Sequence, residues 1–263
     1  MTATMFIMGG LAVVFLIAPF AVMLFLKKRG GSWLDFFVGA GIFFLFALVL
    51  ESAMHNVVLF ATPLGTILQG NIWLYGLYGG LAAGIFEETG RLVAFRFILK
   101  KHRTRMTALG YGIGHGGCEA ALLLSVTYIS NIVLLSMANS GELLTMAGAG
   151  GALPREVLDA VAQLMEVPAA TFLWAGFERI SAMALHMALS VLVFASETQP
   201  GKRSLFFTAV LMHAAVDFCA VVSNAFFPIV VTELLTAALA ALAVWVAAGV
   251  YKNLPATAEK PES

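Results

Sequence analysis

Charge is what this sequence has least of: only 11% of its 263 residues are Asp, Glu, Lys or Arg, against about a quarter in soluble domains. The fifteen cations and fifteen acids cancel, so no basic footprint for nucleic acid and no acidic tail exist. Cysteine is nearly absent too. Cys118 and Cys219 both sit in apolar runs, which excludes a disulfide framework or a CxxC metal knuckle and leaves them as small packing residues. The chain also lacks an HExxH pattern, a GxSxG elbow and a serine at diagnostic spacing from a histidine, so neither a zincin helix nor a serine hydrolase is expected.

What remains is overwhelmingly apolar: 60% hydrophobic residues and a mean hydropathy of +0.93. Long apolar runs near 5–26, 33–60, 72–99, 106–137, 168–195, 204–224 and 227–250 each match the roughly 20 residues that a bilayer crossing requires. The expectation is an all-α, polytopic transmembrane bundle of about seven spans, forming one domain over 1–252 with a short cytoplasmic tail over 253–263. The first run lacks a positive leader and is followed by Lys27, Lys28 and Arg29, the pattern of a retained span. Gly and Pro within the runs predict helix breaks. The long connector holds the small-residue stretch Ala147–Ala152, read as a mobile loop, and a short helix from Pro154 to Met165, since proline suits a first helical turn.

Lys27–Arg29, then Lys100, Lys101, Arg103 and Arg105, then Lys202 and Arg203, and finally Lys252 fall on alternate connections. The positive-inside rule makes those connections cytoplasmic and puts the N-terminus outside and the C-terminus inside.

Against this background a few ionisable residues inside the runs stand out. A charge at the centre of a bilayer costs roughly 2.5–3.5 kcal/mol on insertion scales, so such residues face the bundle interior and find partners. The third run carries Glu87, Glu88 and Arg91, the fourth His115 and Glu119, the fifth Glu178, Arg179 and His186, and the sixth His213 and Asp217. The first and seventh carry none comparable. Glu87 with Arg91, His115 with Glu119, and His213 with Asp217 are four apart, which sets each pair on one helix face. Counted from the cationic ends at 1.5 Å per residue, Arg91, His115, His186 and His213, with Glu87, Glu119 and Asp217, fall in one layer in the cytoplasmic half, and Glu178 and Arg179 lie about two turns outward of His186.

Two chemistries suit that layer. His115, His186 and His213 offer a three-histidine Zn²⁺ site with room for a water; alternatively a glutamate in apolar surroundings acts as general base, with histidine supplying a proton or stabilising an oxyanion. A proton-coupled transporter is the competing use of intramembrane Asp, Glu and His. Glu51 with His55 reads as a structural pair, His102 as part of the basic loop, and Glu178 with Arg179 as an ion pair bracing the bundle.

The ordered motifs Glu-Glu-x-x-Arg (from Glu87), His-Gly-Gly-x-Glu (from His115), Glu-Arg before a membrane histidine, and His-x-x-x-Asp (from His213) resemble the YhfC family of bacterial intramembrane peptidases. The likeness runs from the first span to the seventh. More distantly the chain is similar to the PrsW-type proteases and the type II CAAX prenyl endopeptidases, although its Arg spacing and final Asp sit closer to the PrsW pattern. The resemblance implies a protease of the bacterial cytoplasmic membrane acting on peptide or membrane-protein segments. It also implies Glu87 or Glu88 as water-activating base with His115, Arg91 as the basic companion of the glutamates, and His213 with Asp217 as oxyanion stabiliser or as ligand and support. Glu119 belongs to the second motif, and His186 suits a third ligand or an orienting role. A non-catalytic binding or immunity protein on the same scaffold is the remaining alternative.

Overall fold

The computed structural model describes residues 3–143, 145 and 155–256. Among the described residues the chain forms nine helices: α1 (Ala3–Lys27), α2 (Trp33–Phe60), α3 (Pro63–Gln69), α4 (Ile72–Val93, continued by Ala94–Ile98), α5 (Arg105–Asn139), α6 (Arg155–Glu166), α7 (Ala169–Thr198), α8 (Ser204–Phe226) and α9 (Ile229–Tyr251). No strand occurs among the described residues. The fold is an all-α polytopic bundle.

Local sequence explains the helix starts. Ser32 accepts from Leu34 N, Asn71 from Trp73 N and Leu74 N, and Thr104 from Thr107 N, the side-chain caps that spare the orphan amides of a first turn. Pro63 opens α3, and Pro168 and Pro228 precede α7 and α9. The expected helix from Pro154 to Met165 is present as α6, with Pro154 itself and the stretch Ala147–Ala152 outside the described residues.

Six helices, α1, α2, α5, α7, α8 and α9, are long and apolar enough to cross a membrane. The third expected span, α4, forms as well, although its glutamates, arginines and glycines set it apart from those six. It links the far end of α2, through α3, to the near end of α5, so it traverses the same bundle. Helix α7 is the hub: 67% of its apolar stretch is buried, against 22–33% for the other five. Around it pack Phe95 of α4 and Leu99 just after it, Tyr111 of α5, Ala209 of α8 and Ala243 of α9. Phe6, Ile17, Phe37, Leu211 and Trp245 point outward, an apolar exterior that suits lipid.

The helices break where the sequence does not mark it. Pro19 lies within an unbroken α1, whereas wide π turns occupy Phe44–Glu51, Asn56–Phe60, Ala94–Ile98 and Ala121–Val126, which contain neither Gly nor Pro. The glycines instead allow close contact between helices. A Cβ on Gly114 would lie 1.9 Å from Phe36 O of α2, one on Gly112 2.6 Å from the Met187 Cα of α7, and one on Gly80 2.4 Å from Ala214 O of α8.

At the cationic end the connections are tied together. Arg105 N donates to Pro255 O, the Gln199 side chain donates to Asn253 O, and His102 Nδ1 meets Asp35 Oδ1 at 2.9 Å. Leu254 is buried, and residues 257–263 of the expected tail lie outside the described residues.

Candidate functional site

Helices α4, α5, α7 and α8 bring Glu87, Glu88, Arg91, His115, Glu119, His186, His213 and Asp217 into one connected group. Glycines fix its geometry, because His115 rides on a stretch of α5 flanked by Gly114, seated on α2, and Gly116, seated against Met183 and His186 of α7. His115 is fully buried, its ring 4.7 Å from that of His186 and 5.2 Å from that of Phe43.

Most of the pairing runs between helices, with Arg91–Glu88 on α4 the close pair along one. His115 Nε2 meets Glu87 Oε2 at 2.7 Å, and Tyr111 OH stands 3.5 Å from His115 Nδ1. Arg91, four residues from Glu87, pairs through Nε with Glu88 Oε2 at 2.9 Å. Its Nη1 donates to His186 O at 2.7 Å and to Ser190 Oγ, and its Nη2 faces His186 Nδ1 at 3.1 Å. Glu88 Oε1 takes His213 Nδ1 at 2.8 Å, while Asp217 Oδ2 stays 3.6 Å from His213 Nε2. Glu119 Oε1 accepts from Arg179 Nη1, and its Oε2 lies within ion-pair distance of His186 Nε2, at 2.5 Å. The same-face spacing is real, but side chains pointing inward meet shorter-range partners on the neighbouring helix. An unpaired charge there would cost several kcal/mol.

Not all members of the group are accessible. Glu88 and Arg91 are fully buried in mutual contact. A cavity of about 100 Å³, room for a few water molecules, is lined by Glu87, Glu119, Glu178, Arg179, His186, His213 and Asp217 and is closed on one side by Thr236 and Ala240 of α9. Glu87 and Glu88 thus differ: one borders the cavity and the other lies behind it. Glu87 Oε2 serves His115, and no hydrogen bond reaches its Oε1 among the described residues.

The donor atoms that converge as a metal cluster would are those of Glu87, His115 and His186, all within 4.8 Å of one another. His213 stands outside this group, occupied by Glu88 and near Asp217, so the converging set differs from the three histidines that spacing alone suggests. Two imidazoles and a carboxylate form a donor set suited to a hydrolytic divalent metal.

Several contributors were not marked by sequence. Ser190 is one helical turn beyond His186 and holds Arg91. Thr236 borders the cavity from α9, and Glu233, one turn before it, is buried, so the last span does carry an inward acid. The signal available was a glutamate and two threonines in an otherwise apolar run. Glu178 and Arg179 pair as a brace would and also line the cavity. Glu51 and His55 pair at 3.1 Å, with Tyr78 OH 2.7 Å from His55 Nδ1, outside the cavity lining.

Comparison with known proteins adds three findings. A sequence model described as "YhfC intramembrane metalloprotease" matches residues 13–251. The "Uncharacterized membrane protein YhfC" of Bacillus subtilis (strain 168) is 38% identical over 212 residues, covering 80% of this chain and 81% of that protein. No solved structure matches.

Proposed function

The chain belongs to the YhfC intramembrane metalloprotease family, and from that premise we propose that it is an endopeptidase that hydrolyses peptide bonds with water held in the cavity beside Glu87. The observation that carries this reading is the exposure of Glu87 to the cavity while His115 holds its second oxygen. Glu87 Oε1 accepts a proton from water, which attacks the peptide carbonyl. The contact with His115 Nε2 at 2.7 Å fixes the carboxylate. His213 borders the same space, with Nδ1 anchored to Glu88; an N–H at its Nε2 stabilises the oxygen that gains charge, and Asp217 stands beside that nitrogen. Proton delivery to the departing amine falls to the same imidazoles.

Glu87, His115 and His186 are the residues that would hold a divalent metal such as zinc, which when bound supplies Lewis acidity and a more acidic water. Glu88, Arg91 and Glu119 bind and orient. Residues 1–252 act as one peptidase unit in the bacterial cytoplasmic membrane, with the N-terminus outside, the C-terminus in the cytoplasm and a peptide or membrane-protein segment as substrate.

The test is cleavage of a panel of single-span substrates by the purified protein, with Glu87→Gln and His115→Ala as controls. Cleavage by wild type that both substitutions abolish supports the reading. Cleavage that survives both, or substrate-driven proton flux in proteoliposomes without hydrolysis, overturns it.

A further inference from the structure

Arg179 contributes three N–H groups to two carboxylates on two helices. Its Nε and Nη2 engage both oxygens of Glu178, its own neighbour on α7, and its Nη1 reaches across to Glu119 Oε1 of α5. Adjacent side chains on a helix do not ordinarily face each other, so the guanidinium is turned back on its own helix. That fork fixes the arginine and leaves one edge free for Glu119.

Glu119 is divided in the same way. One oxygen takes Arg179, and the other lies in ion-pair contact with His186, 2.5 Å from its Nε2. On the far side of the ring, Arg91 Nη2 faces His186 Nδ1 at 3.1 Å. Arginine can only donate, so Nδ1 carries the lone pair and the proton sits on Nε2, 2.5 Å from the Glu119 carboxylate. The ring is therefore gripped at both nitrogens, directly by one arginine and through a carboxylate by the other. So held, His186 Nδ1 lies 3.9 Å from Glu87 Oε2.

We infer that Arg179 is a positioning residue: it clamps Glu119 so that Glu119 sets the orientation of His186 against Glu87 and His115. The inference rests on the endopeptidase reading for its effect on rate, but its structural half stands without it. A carboxylate freed of Arg179 has Glu178 as a like-charged neighbour and turns away from the imidazole. Partners of this kind, one step removed from the reacting groups, typically cost about 10- to 100-fold when lost.

The test uses the full chain in nanodiscs, with Arg179→Met and Arg179→Lys. The chain has five histidines, so ¹⁵N-histidine labelling, with His186→Asn for assignment, isolates the His186 Nε2–H resonance. In wild type and Arg179→Lys, whose ammonium still pairs with Glu119, the resonance is expected downfield and protected from exchange. In Arg179→Met it is lost, and kcat falls about 10- to 100-fold with KM little changed. An Arg179→Met protein that keeps both the resonance and kcat overturns the inference. So does equal loss of activity and of thermal stability in both variants, the mark of a mere brace between α5 and α7. Absence of cleavage by wild type would instead defeat the endopeptidase reading, and the resonance comparison would still decide the clamp.

Discussion

Glu87 and Glu88 are neighbours on α4, yet only Glu87 borders the cavity; Glu88 is fully buried and spends its oxygens on Arg91 and His213. Successive residues on a helix point in different directions, so a double glutamate gives one group to the cavity and one to the scaffold.

The two glutamines should therefore fail differently. Glu87→Gln is expected to remove general-base assistance, worth about 10²- to 10⁴-fold in rate, and to leave the unfolding temperature in detergent almost unchanged. Glu88→Gln leaves the Arg91 guanidinium buried without its counter-charge, a loss of about 3–5 kcal/mol. Parallel cleavage and thermal-unfolding measurements separate the two.

Metal binding should follow the converging donors. Any stoichiometric divalent metal in the purified protein is expected to be lost in His115→Ala and in His186→Ala and retained in His213→Ala, as read by elemental analysis. Metal that disappears only in His213→Ala would relocate the site to the His213 side of the cavity.

Helix contact predicts a contrast between two glycines. Gly114→Ala forces a methyl onto Phe36 O, 1.9 Å away, and should cost about 1–3 kcal/mol in overpacking and displace His115. Gly79→Ala has nothing within 4 Å and should gain up to about 1 kcal/mol from helix propensity. Unfolding temperatures of the two variants check the sign of each.

Orientation is expected to follow the cations. A reporter fused after residue 263 should be active only as a cytoplasmic fusion, and one joined after Phe60 only as an external fusion. The opposite pattern would invert the assigned topology.

Much of the fold was legible because bilayer-length apolar runs have few alternatives: α2 spans the expected 33–60, and α8 and α9 differ from their expected bounds by a residue or two. The π turns were not legible, because no residue type marks them. Motif spacing singled out residues that do gather, but it read them along each helix. Hydrogen bonding joined most of them across helices, as Arg91 shows by reaching His186 and Ser190 of α7 while its partner on α4 is Glu88, not Glu87. Thr236 and Glu233 were passed over because they look like minor polar residues in an apolar span, and only burial against neighbouring helices gives them weight.

The wide turn at Ala121–Val126 begins two residues after Glu119. Before it, the direction of each side chain is dictated by the polar group; beyond it, Tyr128 and Leu135 pack with α1, and the Tyr128 hydroxyl donates to Phe172 O of α7. A strict α-helix would tie the two halves to one angular register. The turn uncouples them, so the outer half of α5 can drift in sequence to suit its packing without rotating His115 away from Glu87.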